Sequence, residues 1–108
     1  MTNWILASDY YKVSHYKQLP PGAEYVSSYI EARGSDDPDF TFALTAGIQA
    51  YIKKYLLNPI TFADIVEAEG VLTAHGYEFN KEGWLHILEE HGGYMPVEIT
   101  ALPEGTLV

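Results

Sequence analysis

Residues 8–33 read Ser-Asp-Tyr-Tyr-Lys-Val-Ser-His-Tyr-Lys-Gln-Leu-Pro-Pro-Gly-Ala-Glu-Tyr-Val-Ser-Ser-Tyr-Ile-Glu-Ala-Arg. The first half predicts a helix and the second a strand. Ser8 stands where an N-cap belongs, and Asp9 follows in the first turn, where a negative charge suits the helix dipole. From Asp9 to Gln18 the chain carries one acid, three tyrosines, one histidine and two lysines in ten residues. That composition suits a ligand-facing helix better than a core one. Pro20 and Pro21 lack the backbone N–H that a helix needs, so the helix stops before Gly22. Tyr25 to Arg33 mixes β-branched and aromatic residues in partial alternation, the pattern of a strand.

Working outward, Trp4 to Ala7 is a short apolar lead-in with strand character. Gly34 to Asp39 is an acidic, proline-containing loop. Phe42 to Leu57 predicts a helix, because Leu44, Ile48, Tyr51, Ile52, Tyr55 and Leu56 recur at three and four residues as a buried stripe. Gly47 inside that helix costs about 1 kcal/mol against alanine and implies close packing. Thr61 caps a helix that runs to His75 and stops at Gly76. Asn80 caps a shorter one, Lys81 to Glu90, buried through Trp84, Leu85, Ile87 and Leu88 and ended by Gly92 and Gly93. Val97 to Leu102 alternates as a strand. Pro103, Glu104 and Gly105 form a hairpin loop, and Thr106 to Val108 begins the return strand. The reading is α+β: about four helices with three short strands. An open strand edge is something finished domains cover, so the segment is expected to belong to something longer.

The chain has 108 residues and no cysteine, with fifteen acids against six bases and a net charge of −9. One domain is the most it can hold. A disulfide framework and a thiolate metal site are excluded. Nucleic-acid binding needs a basic face, which six bases do not supply. The amino terminus lacks a basic n-region, and no apolar stretch approaches a membrane span, so the expectation is a cytoplasmic protein with no membrane partner.

Three segments carry a resemblance: Ser8 to Gly22, Tyr25 to Arg33, and Met95 to Gly105 (Met-Pro-Val-Glu-Ile-Thr-Ala-Leu-Pro-Glu-Gly). Phe79-Asn80, Gly83-Trp84 and Ile87-Leu88-Glu89 lie between the last two in matching order. Together they resemble the amino-terminal domain of the nicotinamide phosphoribosyltransferases, over nearly the whole chain. The resemblance implies residues 1–108 of a larger type II phosphoribosyltransferase fold, cut before the phosphoribosyl-binding barrel. It implies condensation of nicotinamide with phosphoribosyl pyrophosphate to nicotinamide mononucleotide and pyrophosphate, a step of NAD salvage. It also implies Mg²⁺ accompanying the donor in the full-length enzyme, no cofactor on the isolated segment, and a homodimer with shared active sites. The catalytic residues would lie downstream, leaving this segment inactive alone.

Three residues follow as substrate-binding. Tyr11 matches the family's tyrosine that stacks on nicotinamide in the neighbouring subunit's site; a tyrosine offers a flat face and a polar tip. Read without the resemblance, it is a half-buried tyrosine on an amphipathic helix. Asp9 matches the family's acid beside the base, and otherwise is a first-turn acid. Residues two apart point to nearly opposite faces of a regular helix, so Asp9 and Tyr11 share a pocket only if Asp9 lies at the helix start. Arg33 matches an arginine that reaches the phosphoribosyl donor, to which its planar fork of donors is suited. Otherwise it pairs on the surface with Glu31 or Asp36. Lys12, His15 and Tyr16 also match the family pattern. By themselves they read as a solvated lysine, a polar helix-face histidine and a packing tyrosine.

The remaining constellations are bland. His15, His75, His86 and His91 lack metal-ligand spacing, with His86 and His91 off a shared helical face. Asp36, Asp37 and Asp39 form a solvated loop without the distal glutamate of a calcium site. Other classes stay open: a segment of a nicotinate-using relative, a stand-alone interaction or dimerisation domain without catalysis, or a structural protein without ligand.

Overall fold

The computed structural model describes residues 3–108. Its best specified element is helix α2, Phe62–Ala74. Thr61 is extended, so its hydroxyl accepts from the Asp64 N–H at 3.2 Å while the Asp64 carboxylate accepts from the Thr61 N–H at 2.8 Å. This reciprocal capping box satisfies two donors that a helix start leaves orphaned. Ile65, Ala68 and Leu72 then fall on one face and are buried. Helix α3, Lys81–His91, starts at Asn80, whose side chain accepts from the Gly83 N–H at 3.1 Å, and ends in left-handed Gly92. The predicted helices and caps at Thr61 and Asn80 are therefore present. Trp84, Leu85, Ile87 and Leu88 are half-buried and pack on the same cluster as Ile5 and Ile60. Lys81 and Glu69 join α2 to α3 at 2.9 Å.

A 3₁₀ turn, Trp4–Leu6, seats Ile5 in this core. Asn3 holds it there. Its amide donates to the Asp64 carbonyl at 2.7 Å and its carbonyl oxygen accepts from the Ile5 N–H at 3.2 Å. The apolar lead-in is thus a 3₁₀ turn, not a strand. On the far side, Ile60 and Gly93 meet backbone to backbone, the Ile60 N–H donating to the Gly93 carbonyl at 3.0 Å.

The α+β expectation is overturned. Every regular element among the described residues is a helix, and no strand or sheet forms there. Residues 24–34 run as exposed irregular chain, with Tyr25 92% and Ile30 100% exposed. Val97 to Leu102 is irregular too. A strand is completed by a partner, and strand propensity alone describes fit to a half-buried surface. Neither segment meets such a surface here.

Thr106 to Val108 does find backbone partners, but not the predicted ones. It pairs antiparallel with Ala43–Thr45 through one bridge, Leu44 to Leu107. The Ala43 N–H donates to Val108 at 3.0 Å, and the Val108 N–H returns a bond to Ala43 at 2.8 Å. The turn at Pro103 to Thr106 therefore exists, with the Thr106 N–H donating to Pro103 at 3.2 Å, yet it is not a hairpin back to Val97. The helix predicted from Phe42 consequently starts later. Gly47 sits at φ 93, a left-handed setting closed to a helix interior, and α1 is Ile48–Tyr51, continued by a π-helical turn Ile52–Leu56. Gly47 serves a turn and not close packing. The expected buried stripe is only partly covered, since Leu44 and Tyr51 are exposed.

The radius of gyration is 16.9 Å, against about 13 Å for a packed domain of this length. The surface is 8887 Å², against about 6,000 Å² for a folded monomer of this mass. Packing is concentrated in residues 3–6 and 60–93, and the rest carries exposed aromatic and aliphatic side chains.

Candidate functional site

The tyrosine-rich segment is a 3₁₀ helix, Tyr10–Gln18. Asp9, and not Ser8, is its N-cap residue, in extended conformation. Three residues per turn place positions i, i+3 and i+6 in line. Tyr10, Val13 and Tyr16 thus share one face, and Val13 and Tyr16 are its half-buried residues. They close one side of a cavity of about 280 Å³, walled opposite by Leu72, Phe79 and Trp84. Tyr11, Ser14 and Lys17 form a second line, and Asp9, Lys12 and His15 a third.

Tyr11 falls on an outward line. It is 64% exposed, and its ring lies 5.8 Å from His15 and 5.8 Å from the Lys12 ammonium. Lys12 also pairs with Asp9 at 3.7 Å. An open aromatic face, a cation, an acid and an imidazole are therefore gathered around one turn. Asp9 stands at the helix start, as a pocket shared with Tyr11 requires. Lys12 and His15, which read as bland by themselves, sit against the Tyr11 ring. The signal that could have singled them out is the 3₁₀ period, which puts them in line with Asp9.

Arg33 lies in the exposed 24–34 segment. Among the described residues it makes no ion pair with Glu31 or Asp36, and no hydrogen bond or ion pair joins it to Asp9 or Tyr11. The structure brings Asp9, Tyr11, Lys12 and His15 together around one turn.

The helix is fastened by the chain that follows α2. Tyr10 stacks on Tyr77 at 5.2 Å and 17°, and on His75 at 5.9 Å and 21°. Lys17 pairs with Glu78. Neither fastening was legible as a motif.

No group of three or more His, Asp or Glu side chains that could hold a metal ion is found among the described residues. His86 and His91 meet edge-on at 5.7 Å, closer than their five-residue spacing on a regular helix suggests, because His91 closes α3. Asp37 turns its own loop, its carboxylate accepting from the Asp39 N–H at 2.9 Å. No helix of the described residues is long and apolar enough to cross a membrane.

Comparison with known proteins gives a consistent answer. Residues 3–99 match the family described as nicotinamide phosphoribosyltransferase, N-terminal domain. A nicotinamide phosphoribosyltransferase of Xanthomonas campestris pv. campestris is 40% identical over 108 residues, covering all of this chain and 22% of the relative. One of Acinetobacter baylyi is 30% identical over 124 aligned positions, covering 98% of this chain and 24% of the relative. The chain thus spans less than a quarter of the length of these curated relatives.

Proposed function

The chain belongs to the nicotinamide phosphoribosyltransferase family through its N-terminal domain, and from that premise we propose that it is the substrate-gripping amino-terminal segment of an enzyme joining nicotinamide to phosphoribosyl pyrophosphate. The observation that carries the reading is the exposed Tyr11 ring on the outward line of its helix, in a segment that matches this family.

In such a reaction the pyridine nitrogen bonds to the ribose anomeric carbon as the bond from that carbon to pyrophosphate breaks. Pyrophosphate leaves with the electron pair. The base must be held in line with the departing bond. Tyr11 would do this by stacking on the pyridine ring. Asp9, at the helix start, would accept from the carboxamide N–H of nicotinamide. Arg33 would grip phosphate oxygens of the donor. Tyr11 faces away from its own packed core, which suits a ring lent to a neighbouring subunit in a homodimer. Mg²⁺ would accompany the donor's pyrophosphate. Among the described residues no group of three or more His, Asp or Glu side chains is placed to hold it.

The test is kinetic, in a full-length enzyme carrying this segment. Tyr11→Phe keeps the ring and retains activity. Tyr11→Ala loses about 1–3 kcal/mol of stacking, which is about a 5- to 150-fold rise in KM for nicotinamide. Arg33→Ala weakens the phosphoribosyl donor more than the base. An unchanged nicotinamide KM in Tyr11→Ala would refute the stacking role.

A further inference from the structure

We propose that Tyr10 is a positioning residue: its three-ring stack with His75 and Tyr77 sets the rotation of the Tyr10–Gln18 helix and so presents Tyr11 to the base. The proposal rests on the stacking reading of Tyr11 and adds to it the device that holds the ring in place.

Tyr11 has little to fix it. Its ring is mostly exposed, and the aromatic and cationic groups against it among the described residues, His15 and Lys12, are both on its own helix. The helix itself buries no residue fully. A short 3₁₀ helix with poor hydrogen-bond geometry does not hold its own rotation. Something outside must. Tyr10 is adjacent in sequence and one-third of a turn away, so any rotation of the helix moves both rings together. The Tyr10 ring lies nearly parallel to both partner rings, at 17° and 21°.

The two partner rings are exposed, but their backbone is anchored on the core. The carbonyl of buried Leu72 accepts from the His75 N–H at 3.2 Å and from the Tyr77 N–H at 2.9 Å. The His75 ring is fixed in turn, with Nδ1 2.7 Å from the Val71 carbonyl. A carbonyl only accepts, so Nδ1 carries the hydrogen. The clamp therefore runs from the α2 core through the His75 imidazole, held by Val71, and the Tyr77 ring, held by its backbone, to Tyr10. The ion pair of Lys17 with Glu78 pins the other end of the same helix to the same segment. With both ends held, Val13 and Tyr16 span the cavity and Tyr11 points outward.

The experiment uses the full-length enzyme and a double-mutant cycle. Tyr10→Ala raises the nicotinamide KM about two- to tenfold, the range of one aromatic pair. It leaves the donor KM unchanged and speeds amide exchange across residues 10–18 while α3 stays protected. Tyr10→Phe restores both, since the clamp needs the ring and not the hydroxyl. In a Tyr11→Ala background, Tyr10→Ala has no further effect on the nicotinamide KM. His75→Ala gives the same phenotype without altering the helix sequence, and serves if Tyr10→Ala fails to fold. Two outcomes overturn the proposal and are distinguishable. If Tyr10→Ala and Tyr11→Ala add independently, Tyr10 does not act through Tyr11, and the stacking reading stands alone. If Tyr11→Ala itself leaves the nicotinamide KM unchanged, the stacking reading fails and positioning falls with it.

Discussion

Gly93→Ala is the perturbation whose cost follows most directly from the geometry. Gly93 is buried at φ +86, where its N–H donates to the Ile87 carbonyl at 3.1 Å and its own carbonyl receives the Ile60 N–H at 3.0 Å. An added Cβ meets two penalties. The left-handed backbone costs an L-residue about 1–2 kcal/mol. The methyl also runs into the Ile60 carbonyl oxygen, with the Ile60 nitrogen and Pro59 Cβ each at 3.1 Å. These are backbone and ring atoms, and Ile60 is itself only 2% exposed. Relieving the contact means shifting a core residue, an overpacking cost of about 1–3 kcal/mol. The sum is about 2–5 kcal/mol, or about 30- to 4,000-fold in the opening equilibrium. Gly22→Ala is the control. Its φ is +80, but nothing lies within 4 Å of its added Cβ. It carries backbone strain alone, in a segment outside the core. Native-state amide exchange at Ile65, Ala68 and Leu72 reads the α2–α3 unit separately from the rest. Gly93→Ala should accelerate these amides and Gly22→Ala should leave them nearly unchanged. Equal effects from the two, or none from Gly93→Ala, would refute the claim that the Ile60–Gly93 contact closes the core.

Other substitutions check other joints. Thr61→Ala removes the capping box and should cost about 0.5–2 kcal/mol of α2 stability, read from the same amides. Asn3→Leu strands the buried Ile5 N–H and removes the bond to the Asp64 carbonyl; it should cost about 1–3 kcal/mol, seen as accelerated exchange at Ile5, while α3 keeps its protection. Glu104 accepts from the Gly47 and Gln49 N–H groups at 2.9 and 3.1 Å. Glu104→Ala should therefore loosen the pairing of Ala43–Thr45 with Thr106–Val108, and exchange at Val108 and Ala43 should rise without change in α2.

The helices were legible because their signals are local. A capping box occupies four consecutive residues, and a buried stripe repeats within two turns. Thr61 and Asn80 announced their helices on those grounds alone. Residues 25–33 carried equally clear side-chain alternation, yet alternation specifies a strand only when another segment supplies its hydrogen bonds. Nothing in Tyr25 to Arg33 names that segment, and among the described residues none pairs with it. The pairing of Thr106–Val108 shows the same point from the other side. Its partner, Ala43–Thr45, lies some sixty residues away, inside what reads locally as a helix. What decides between the two is a pair of long-range contacts, the Glu104 carboxylate on Gly47 and Gln49 and the Thr45 hydroxyl on the Pro103 carbonyl at 2.8 Å. Neither is visible from composition or period.

The geometry around the candidate residues was not legible in the sequence. Asp9, Tyr11 and Arg33 rest on family likeness, and the objection that Asp9 and Tyr11 oppose each other assumed an α-helical period. A 3₁₀ helix changes the arithmetic. It lines Asp9 up with Lys12 and His15, brings Lys12 and His15 to the Tyr11 ring, and puts Tyr10 in line with half-buried Val13 and Tyr16. Two adjacent tyrosines then have opposite duties for one geometric reason. Tyr10 stacks on His75 and Tyr77 at the surface. Tyr11, the next residue along, faces out, as the proposed stacking on a base requires. A one-residue insertion between Tyr10 and Tyr11 rotates one ring away from its partner. The insertion should therefore abolish either the clamp or the open face. A variant carrying it that kept both amide protection over residues 10–18 and the nicotinamide KM would show that the rotation of this helix does not matter.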